Sequence, residues 1–345
     1  MATADVTVMG AGVFGLSVAY ACALRGAQVR VIDPAGVGAG ASGGIVGALA
    51  PHVPEQWNAK KAFQFESLIV AQAFWDGVQE RSGLATGYRR SGRLQPLVDD
   101  AAVTLAQARA AGATELWQDK AVWEIIPATG AGWEPPSASG LMVRDTLSAL
   151  VHPRQAVRAL ASAVQALGGE IVTDGAPDGR VVWATGWQGL EQMTAQHHRL
   201  VGNGVKGQAL LLAYDAAGQP QLFADALHIV PHDDGTVAIG STSEREFDDP
   251  SGTDAQLDAV HARALAAFPV LEGAKVLERW AGVRPRSRSR APMLGHHPFE
   301  GGAFVANGGF KIGFGMAPLM GEVMADLVLE GVDRVPDDFR AARSL

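Results

Sequence analysis

The pattern that most constrains the fold lies in the first 33 residues. Residues 5–9 alternate in polarity and are rich in β-branched side chains, which is typical of a strand. They run directly into the sequence GAGVFG at 10–15, and an Ala- and Leu-rich segment from about 13 to 25 predicts a helix. Residues 28–32 predict a second strand, which ends at Asp33. A strand, a glycine-rich turn, a helix and a second strand in this order predict a βαβ unit.

Each polar or glycine position of this unit has a role in binding a dinucleotide. Gly10 permits the tight turn, Gly12 lets the backbone approach a pyrophosphate, and Gly15 lets the helix pack closely on the strand. The helix N-terminus presents free N–H groups to phosphates. Asp33, 18 positions after Gly15, is placed to accept hydrogen bonds from a ribose. A glycine turn with a purely structural role is the alternative, and the unit alone does not separate NAD from FAD.

The segment after Asp33 favours FAD. Six glycines lie among residues 36–47, which excludes a stable helix or strand there. Ile45, Val46 and Leu49 make the segment too apolar for a flexible surface loop. We therefore interpret it as a loop that contacts phosphate and flavin, where an ordinary NAD domain would continue into a second βα unit.

Five motifs in order, covering almost the whole chain, resemble one flavoprotein family. They are the GxGxxG turn with its acidic strand end, and the segments 40–51, 180–187, 228–242 and 280–318. Together they are similar to the family of D-amino acid oxidase, glycine oxidase and sarcosine oxidase, and the glycine oxidase-like members are the most similar. The last segment resembles the family's C-terminal block that closes over the isoalloxazine ring.

The resemblance implies an α/β fold in which a Rossmann-like FAD-binding domain of the GR2 type is interleaved with an α+β substrate domain built mainly on an antiparallel sheet. The expected FAD-binding domain comprises 1–85, 145–205 and 280–345, and the substrate-binding domain 86–144 and 206–279. Within this frame the residues predict helices at 154–167 and 254–268, and strands at 170–173, 181–183, 209–214 and 236–239. A closing helix is expected from Ala317 to Leu329, with Pro318 near its first position.

The resemblance also implies the activity and the cofactor contacts. It implies FAD-dependent oxidation of a small amino acid or secondary amine by hydride transfer to flavin N5. The product is an imine that hydrolyses to an oxo-acid, and O2 or an electron carrier reoxidises the flavin. The expected cofactor-binding residues are Gly10, Ala11, Gly12, Val13, Phe14, Gly15, Asp33, Pro34, Ala41, Ser42, Gly43, Gly44, Gly47, Ala48, Leu49, Ala184, Thr185, Gly186, Trp187, Gly308, Gly309, Phe310, Lys311, Ile312, Gly313 and Phe314.

Four residues are candidates for the catalytic pocket. Arg284 matches the family position that anchors a substrate carboxylate, because a planar guanidinium binds a carboxylate in bidentate fashion. Lys311 would compensate charge on a reduced flavin or pair with the substrate. His228 is expected to line the pocket and His52 to face the flavin. The alternatives are an ion-paired surface arginine, a solvated lysine on a turn and histidines with only structural hydrogen bonds.

Three departures from the family pattern bear on the substrate. Ser289 stands about where relatives carry an Asp, Lys311 where many carry an Arg, and His228 where glycine oxidases tend to have a Tyr. Five arginines lie between Arg279 and Arg290, in a chain of net charge −8. They are either a solvated loop paired with nearby acids or a rim that attracts a substrate with a second acidic group.

Composition argues against several other kinds of protein and site. The chain has 345 residues, and 36 Asp and Glu outnumber 28 Lys and Arg, which disfavours nucleic acid as a partner. Cys22 is the only cysteine, so a disulfide framework is excluded and no tether for covalent flavin is evident. His296 and His297 point in opposite directions on a strand, so no metal site is expected.

With no signal peptide and no membrane span evident, we expect a cytoplasmic protein that binds FAD non-covalently and is able to form oligomers. Two other functions stay open at this point: an NAD-dependent dehydrogenase with two ordinary Rossmann halves, and a flavin domain that acts on modified tRNA.

Overall fold

The computed structural model describes residues 4–130 and 132–345. Residues 1–3 and 131, which fall in the expected ranges 1–85 and 86–144, lie outside the described residues. Within the described part the strands are β1 (Val6–Met9), β2 (Val29–Ile32), β3 (Ala48–Leu49), β4 (Arg93–Pro96), β5 (Trp123–Pro127), β6 (Leu141–Asp145), β7 (Ala149–Leu150), β8 (Glu170–Val172), β9 (Arg180–Trp183), β10 (Gly202–Ala213), β11 (Gln221–Ala224), β12 (Leu227–Pro231), β13 (Thr236–Gly240), β14 (Lys275–Ser287), β15 (Met293–His296) and β16 (Phe304–Asn307).

The helices of the same residues are α1 (Val13–Leu24), α2 (Ala59–Ser82), α3 (Asp100–Leu116), α4 (Pro153–Ala166), α5 (Gly186–His197), α6 (Ala255–Ala267) and α7 (Gly313–Ala325). None of the helices that the structure describes is long and apolar enough to cross a membrane.

A six-stranded sheet forms the first layer, in the order β15-β16-β9-β1-β2-β8. All of its pairs are parallel except β15 with β16. The central strand β1 is almost fully buried, and α1 packs beside it against both α4 and α7. The predicted βαβ unit is present with the predicted order, and it lies at the centre of this sheet.

An eight-stranded sheet forms the second layer, in the order β14-β10-β13-β12-β11-β4-β6-β5. Only β4 and β11 are parallel neighbours; the other pairs are antiparallel. The β10–β14 ladder pairs Gly202 with Ser287 and Ala213 with Lys275, so it runs across the expected domain boundaries near 205 and 280. Apolar residues of this sheet form a second core with α6.

Small residues allow the helices of the first layer to approach closely. A Cβ atom added at Gly321 of α7 would lie 2.7 Å from the backbone oxygen of Ser17 in α1. This close approach of α7 accompanies the burial of residues 13–23 of α1. The two helices therefore cannot accept larger side chains at their crossing.

The closing helix was predicted to begin at Ala317, and this predicted start was wrong. The helix begins at Gly313, and Pro318 lies inside it as the sixth residue, because the glycine-rich stretch before Ala317 is helical. Pro318 lacks the N–H that would bond four residues back, but it is buried in the core with Met316 and Ala317. Tertiary packing outweighs the low helix propensity of this stretch.

Candidate active site

A cavity of about 880 Å3 lies where the two sheets meet. The smaller sheet contributes the carboxyl ends of β1, β9 and β16 to its lining, through Met9, Trp183 and Asn307. The larger sheet contributes residues from β10 to β14, among them His228 and Arg284. Ligands of open parallel sheets bind at the carboxyl ends of the strands, so this is the expected position for one.

Three helix N-termini converge on the cavity. Residues at the starts of α1, α5 and α7 line it, namely Val13, Gly186 and Gly313. The N-cap of α1 is Gly12, which offers no side chain to its first turn. Free N–H groups and the helix dipole favour an anionic group at such an end.

The glycines of the first turn fit a backbone held against both protein and ligand. A Cβ atom at Gly10, whose φ is +117°, would lie 2.4 Å from the backbone oxygen of Ala184, and one at Gly15 would lie 1.9 Å from that of Gly10. At Gly12 the nearest atom would be Ser42 Oγ at 3.2 Å, so the space in front of it opens to the cavity. Gly10 and Gly15 serve protein packing, whereas Gly12 leaves room for a ligand.

The Asp33 carboxylate joins the first turn to the glycine-rich loop. Its Oδ2 accepts a hydrogen bond from the Ala11 N–H at 2.8 Å, and its Oδ1 accepts one from the Ala35 N–H at 3.0 Å. Asp33 also lines the cavity. Each carboxylate oxygen has a further lone pair, which leaves Asp33 able to accept from a ribose.

The glycine-rich loop folds over the start of α1. Residues 41–43 form a 3₁₀ turn, and Ser42 Oγ accepts a hydrogen bond from the Val13 N–H at 2.9 Å. A Cβ atom at Gly47 would lie 1.8 Å from the backbone oxygen of Val151, which accounts for glycine at that position. The loop is therefore an ordered wall of the cavity.

All of the predicted cofactor-binding residues line the cavity except six. The exceptions lie behind its lining: Ala11, Gly15, Gly43, Leu49, Gly308 and Ile312. Gly308 illustrates the reason, because its φ is +74° and a Cβ atom there would lie 2.0 Å from Ser287 Oγ. Asn307, which the sequence did not single out, supports this region by donating from Nδ2 to the Gly186 oxygen at 2.8 Å.

Arg284 lines the cavity and donates hydrogen bonds to the two residues that follow β13. Its Nη2 donates to Ser241 Oγ at 2.6 Å and its Nη1 to the Thr242 oxygen at 3.3 Å. Among the described residues no carboxylate forms an ion pair with it, and burial lowers its pKa to about 10. The charge of Glu244 acts on its pKa in the opposite direction to burial, so at neutral pH this guanidinium is a half-buried cation whose hydrogen-bond partners are neutral.

His228 and Lys311 line the same cavity. Burial, with the nearby charges of Arg93 and Lys311, lowers the pKa of His228 to about 3, so its ring is neutral. Its Nδ1 lies 3.3 Å from Gln221 Oε1. Burial also lowers the pKa of Lys311, and the charges of Arg284 and Arg286 act in the same direction.

The prediction that His52 faces the flavin is not supported by its position. His52 does not line the cavity. Its backbone N–H and its ring Nδ1 both contact Gln64 Oε1 of α2. These hydrogen bonds fit the alternative interpretation of a histidine with structural contacts, and the position of His52 relative to a flavin stays a prediction.

The five arginines from Arg279 to Arg290 do not act as one cluster. Arg279 forms an ion pair with Asp258, 2.6 Å apart, and Arg288 donates to the backbone oxygen of Leu345. Arg284 reaches the cavity, and Arg286 and Arg290 have no acidic partner among the described residues. His296 and His297 belong to no group of potential metal ligands in the part of the chain that is described.

Comparison with known proteins identifies the class. Residues 5–327 match the model of the DAO family, described as FAD dependent oxidoreductase. The chain therefore belongs to this family and is an FAD-dependent oxidoreductase, which decides against the NAD-dependent alternative.

Its relatives include a glycine oxidase from Pseudomonas putida, 29% identical over 367 residues, with 96% of each chain covered. The chain is also 27% identical to the bifunctional protein ThiO/ThiG of a Nostoc species, covering 95% of this chain but only 53% of the relative. It thus spans about half the length of that relative. The crystal structure of glycine oxidase from Geobacillus kaustophilus has the same fold, with a TM-score of 0.86 at 22% identity over 99% of both chains.

Proposed function

We propose that this oxidoreductase oxidises a small amino acid or secondary amine that carries a carboxylate. The observation that supports this most directly is the state of Arg284. It is a half-buried guanidinium that lines the cavity and forms no ion pair among the described residues. A buried charge is costly unless it is paired, and a planar guanidinium is suited to bind a carboxylate with two hydrogen bonds.

The residues present fit FAD as the bound cofactor, attached without a covalent bond. Gly12, the start of α1 and Ser42 would hold its pyrophosphate, Asp33 would accept from its ribose, and residues 308–314 would border its ring. Cys22 lies buried in α1, away from the cavity lining, and is no candidate for a tether. When bound, FAD supplies a two-electron acceptor that takes a hydride from the substrate carbon, and O2 or an electron carrier later removes the electrons.

The protein's own residues orient the substrate and exclude water. Arg284 fixes the carboxylate, which sets the position of the neighbouring carbon and nitrogen. The carbon loses its hydrogen as a hydride and the nitrogen loses a proton, so the substrate leaves as an imine. Water then adds to the imine and yields an oxo-acid and the free amine or ammonia. His228, neutral and hydrogen-bonded to Gln221, contributes an uncharged wall of the cavity beside Arg284 and Lys311.

An anaerobic screen tests this proposal directly. The purified holoenzyme is mixed with glycine, N-methyl amino acids, D-amino acids and imino diacids, and bleaching of the flavin absorbance is recorded. We expect at least one of these compounds to reduce the flavin. A flavin that none of them reduces would contradict the proposed substrate class.

Replacing Arg284 tests its role. Arg284→Ala removes a charge-assisted hydrogen-bonding partner, and such a loss costs about 1.5–3 kcal/mol. We therefore expect KM for the best carboxylate-bearing substrate to rise more than tenfold, with the flavin still bound. Arg279→Ala is a matched control on the same strand, because Arg279 pairs with Asp258 outside the cavity. An unchanged KM in Arg284→Ala would refute the assignment.

A further inference from the structure

Two more cations lie beside the ring of Phe310, next to the site of Arg284. Lys311 Nζ is 5.8 Å from the centroid of that ring, and Arg286 Cζ is 5.5 Å from it. Phe310 and Lys311 line the cavity, and the backbone N–H of Phe310 donates to the oxygen of Pro285 at 3.0 Å. This bond joins the segment just before α7 to β14, the strand that carries Arg284 and Arg286.

These cations lack acidic partners, whereas half of the arginines in the described chain form ion pairs. Within the described chain, neither Lys311 nor Arg286 forms an ion pair. Elsewhere arginines at comparable exposure are paired, as Arg154 is with Glu278 at 2.6 Å and Arg109 with Glu55 at 2.9 Å. Lys311, which lines the cavity, and Arg286, which lies outside its lining against Phe310, are therefore two unpaired cations at this edge of the cavity.

The charges also act on one another. The positive charges of Arg284 and Arg286 lower the pKa of Lys311, and those of Arg290 and Arg245 lower the pKa of Arg286, in each case after the effect of burial. Like charges held together without counter-ions repel, so an anion placed among them would relieve that repulsion. Arg284 can be neutralised by one carboxylate, which leaves Lys311 and Arg286 available for another group.

We propose that the substrate carries a second anionic group, a carboxylate or a phosphate, which Lys311 and Arg286 bind while Arg284 holds the first carboxylate. The inference rests on the proposed oxidation of an amine or amino acid at this site, and it names the substrate class more closely. The charge of Arg284 lowers the pKa of Lys311, and the charge of Lys311 lowers the pKa of His228, so the Lys311 side chain lies near the end of the cavity formed by the larger sheet. The pyrophosphate position at Gly12 belongs to the smaller sheet.

Matched substrate pairs test the proposal. N-methylglycine is compared with iminodiacetate, D-alanine with D-aspartate, and D-serine with O-phospho-D-serine, by anaerobic flavin reduction and by steady-state turnover. We expect kcat/KM to be at least tenfold higher for the doubly anionic member of at least one pair. The carboxylate pairs and the phosphate pair separate the two chemistries. Equal or lower values for the anionic member of every pair would overturn the proposal.

Variants of Arg286 test whether this residue causes the preference for doubly anionic substrates. Arg286→Gln should reduce the ratio of kcat/KM between the doubly and singly anionic members about tenfold, and Arg286→Lys should restore most of it. Arg279→Gln, which removes the same charge from the same strand at a position where it is already paired with Asp258, should leave the ratio unchanged. A ratio that does not respond to Arg286→Gln, with or without a change in flavin content, would overturn the assignment.

Failure of the inference is distinguishable from failure of the proposed function. If singly anionic amines reduce the flavin and the second anionic group brings no gain, only the inference is refuted. If no compound of either kind reduces the flavin, the proposed function fails and the inference falls with it.

Discussion

At the scale of single residues, the position of Arg284 depends on a glycine in the neighbouring strand. A Cβ atom added at Gly207 of β10 would lie 1.8 Å from Arg284 Nη2 and 2.2 Å from its Cζ. The guanidinium therefore occupies space that any larger residue at 207 would fill. Its bonds to Ser241 and Thr242 depend on that space.

Gly207→Ala should consequently act on substrate binding from a position outside the cavity lining. We expect KM for the carboxylate-bearing substrate to rise at least tenfold, because the guanidinium must leave its bond with Ser241. Steady-state kinetics measure this, and flavin absorbance checks that FAD is retained. Gly301→Ala is the control, since a Cβ atom there meets nothing within 4 Å. If KM in Gly207→Ala equals that of the wild type, the Arg284 side chain binds the substrate without needing the space beside Gly207.

These residues also mark where sequence reasoning ends. Arg284 could be predicted because it lies inside a recognisable motif, and Gly12 and Asp33 because their spacing has a physical reason. Gly207 and Ser241 could not be predicted, because their proximity to Arg284 follows from strand pairing. The register that pairs Val205 with Arg284 is set by long-range packing, and sequence spacing does not encode it.

At the scale of elements, the N-terminus of α1 is completed by a residue 29 positions further along the chain. Ser42 Oγ accepts from the Val13 N–H, a role that a helix N-cap usually fills locally. Gly12 leaves that role open while it keeps the space in front of the helix free. The first turn of α1 and the glycine-rich loop thus hold each other in place.

Ser42→Ala should weaken FAD binding. Loss of a capping hydrogen bond costs about 1 kcal/mol, which corresponds to roughly a fivefold weaker affinity if the loop is ordered mainly with the cofactor. Titration of the apoprotein with FAD, followed by flavin fluorescence, measures the Kd. Ser82→Ala at the exposed end of α2 is the matched control. A Kd equal to that of the wild type would argue against the coupling between loop and helix.

The start of α7 shows why element boundaries were harder to predict than elements. The glycines from 308 to 315 indicate a loop by propensity, and Pro318 indicates a helix start. In the structure Gly313 and Gly315 are helical, and a Cβ atom added there would lie at ordinary contact distance, 3.7 Å from Val13 and 3.4 Å from Leu68. The helix therefore forms in spite of the low helix propensity of glycine, and that low propensity obscured the helix in the sequence.

At the scale of the whole molecule, the cavity is shared by the two sheets. We propose that the sheets correspond to the FAD-binding and substrate-binding domains, divided at about 85, 145, 205 and 280. The ladder between β10 and β14 continues past the last two of these positions. A ligand in the cavity would contact both layers and stabilise their association.

Removal of FAD should therefore destabilise the entire fold. Dialysis against acidic, high-salt buffer should release all of the flavin into solution, as non-covalent binding requires, and the apoprotein should unfold at a lower temperature than the holoenzyme. A ligand at 100 times its Kd stabilises the native state by about 2.7 kcal/mol. Calorimetry of both forms, with FAD added back, measures the difference. Flavin that stays with the denatured chain, or equal unfolding temperatures, would contradict this expectation.

The order in which the cavity's walls occur along the chain has a consequence for biosynthesis. Gly10 is synthesised before Phe314, which follows about 300 residues later, and both line the same cavity. At 5–20 residues per second, roughly 15–60 seconds separate the two. Complete enclosure of the cofactor therefore has to wait until the segment that carries Phe314 has been synthesised.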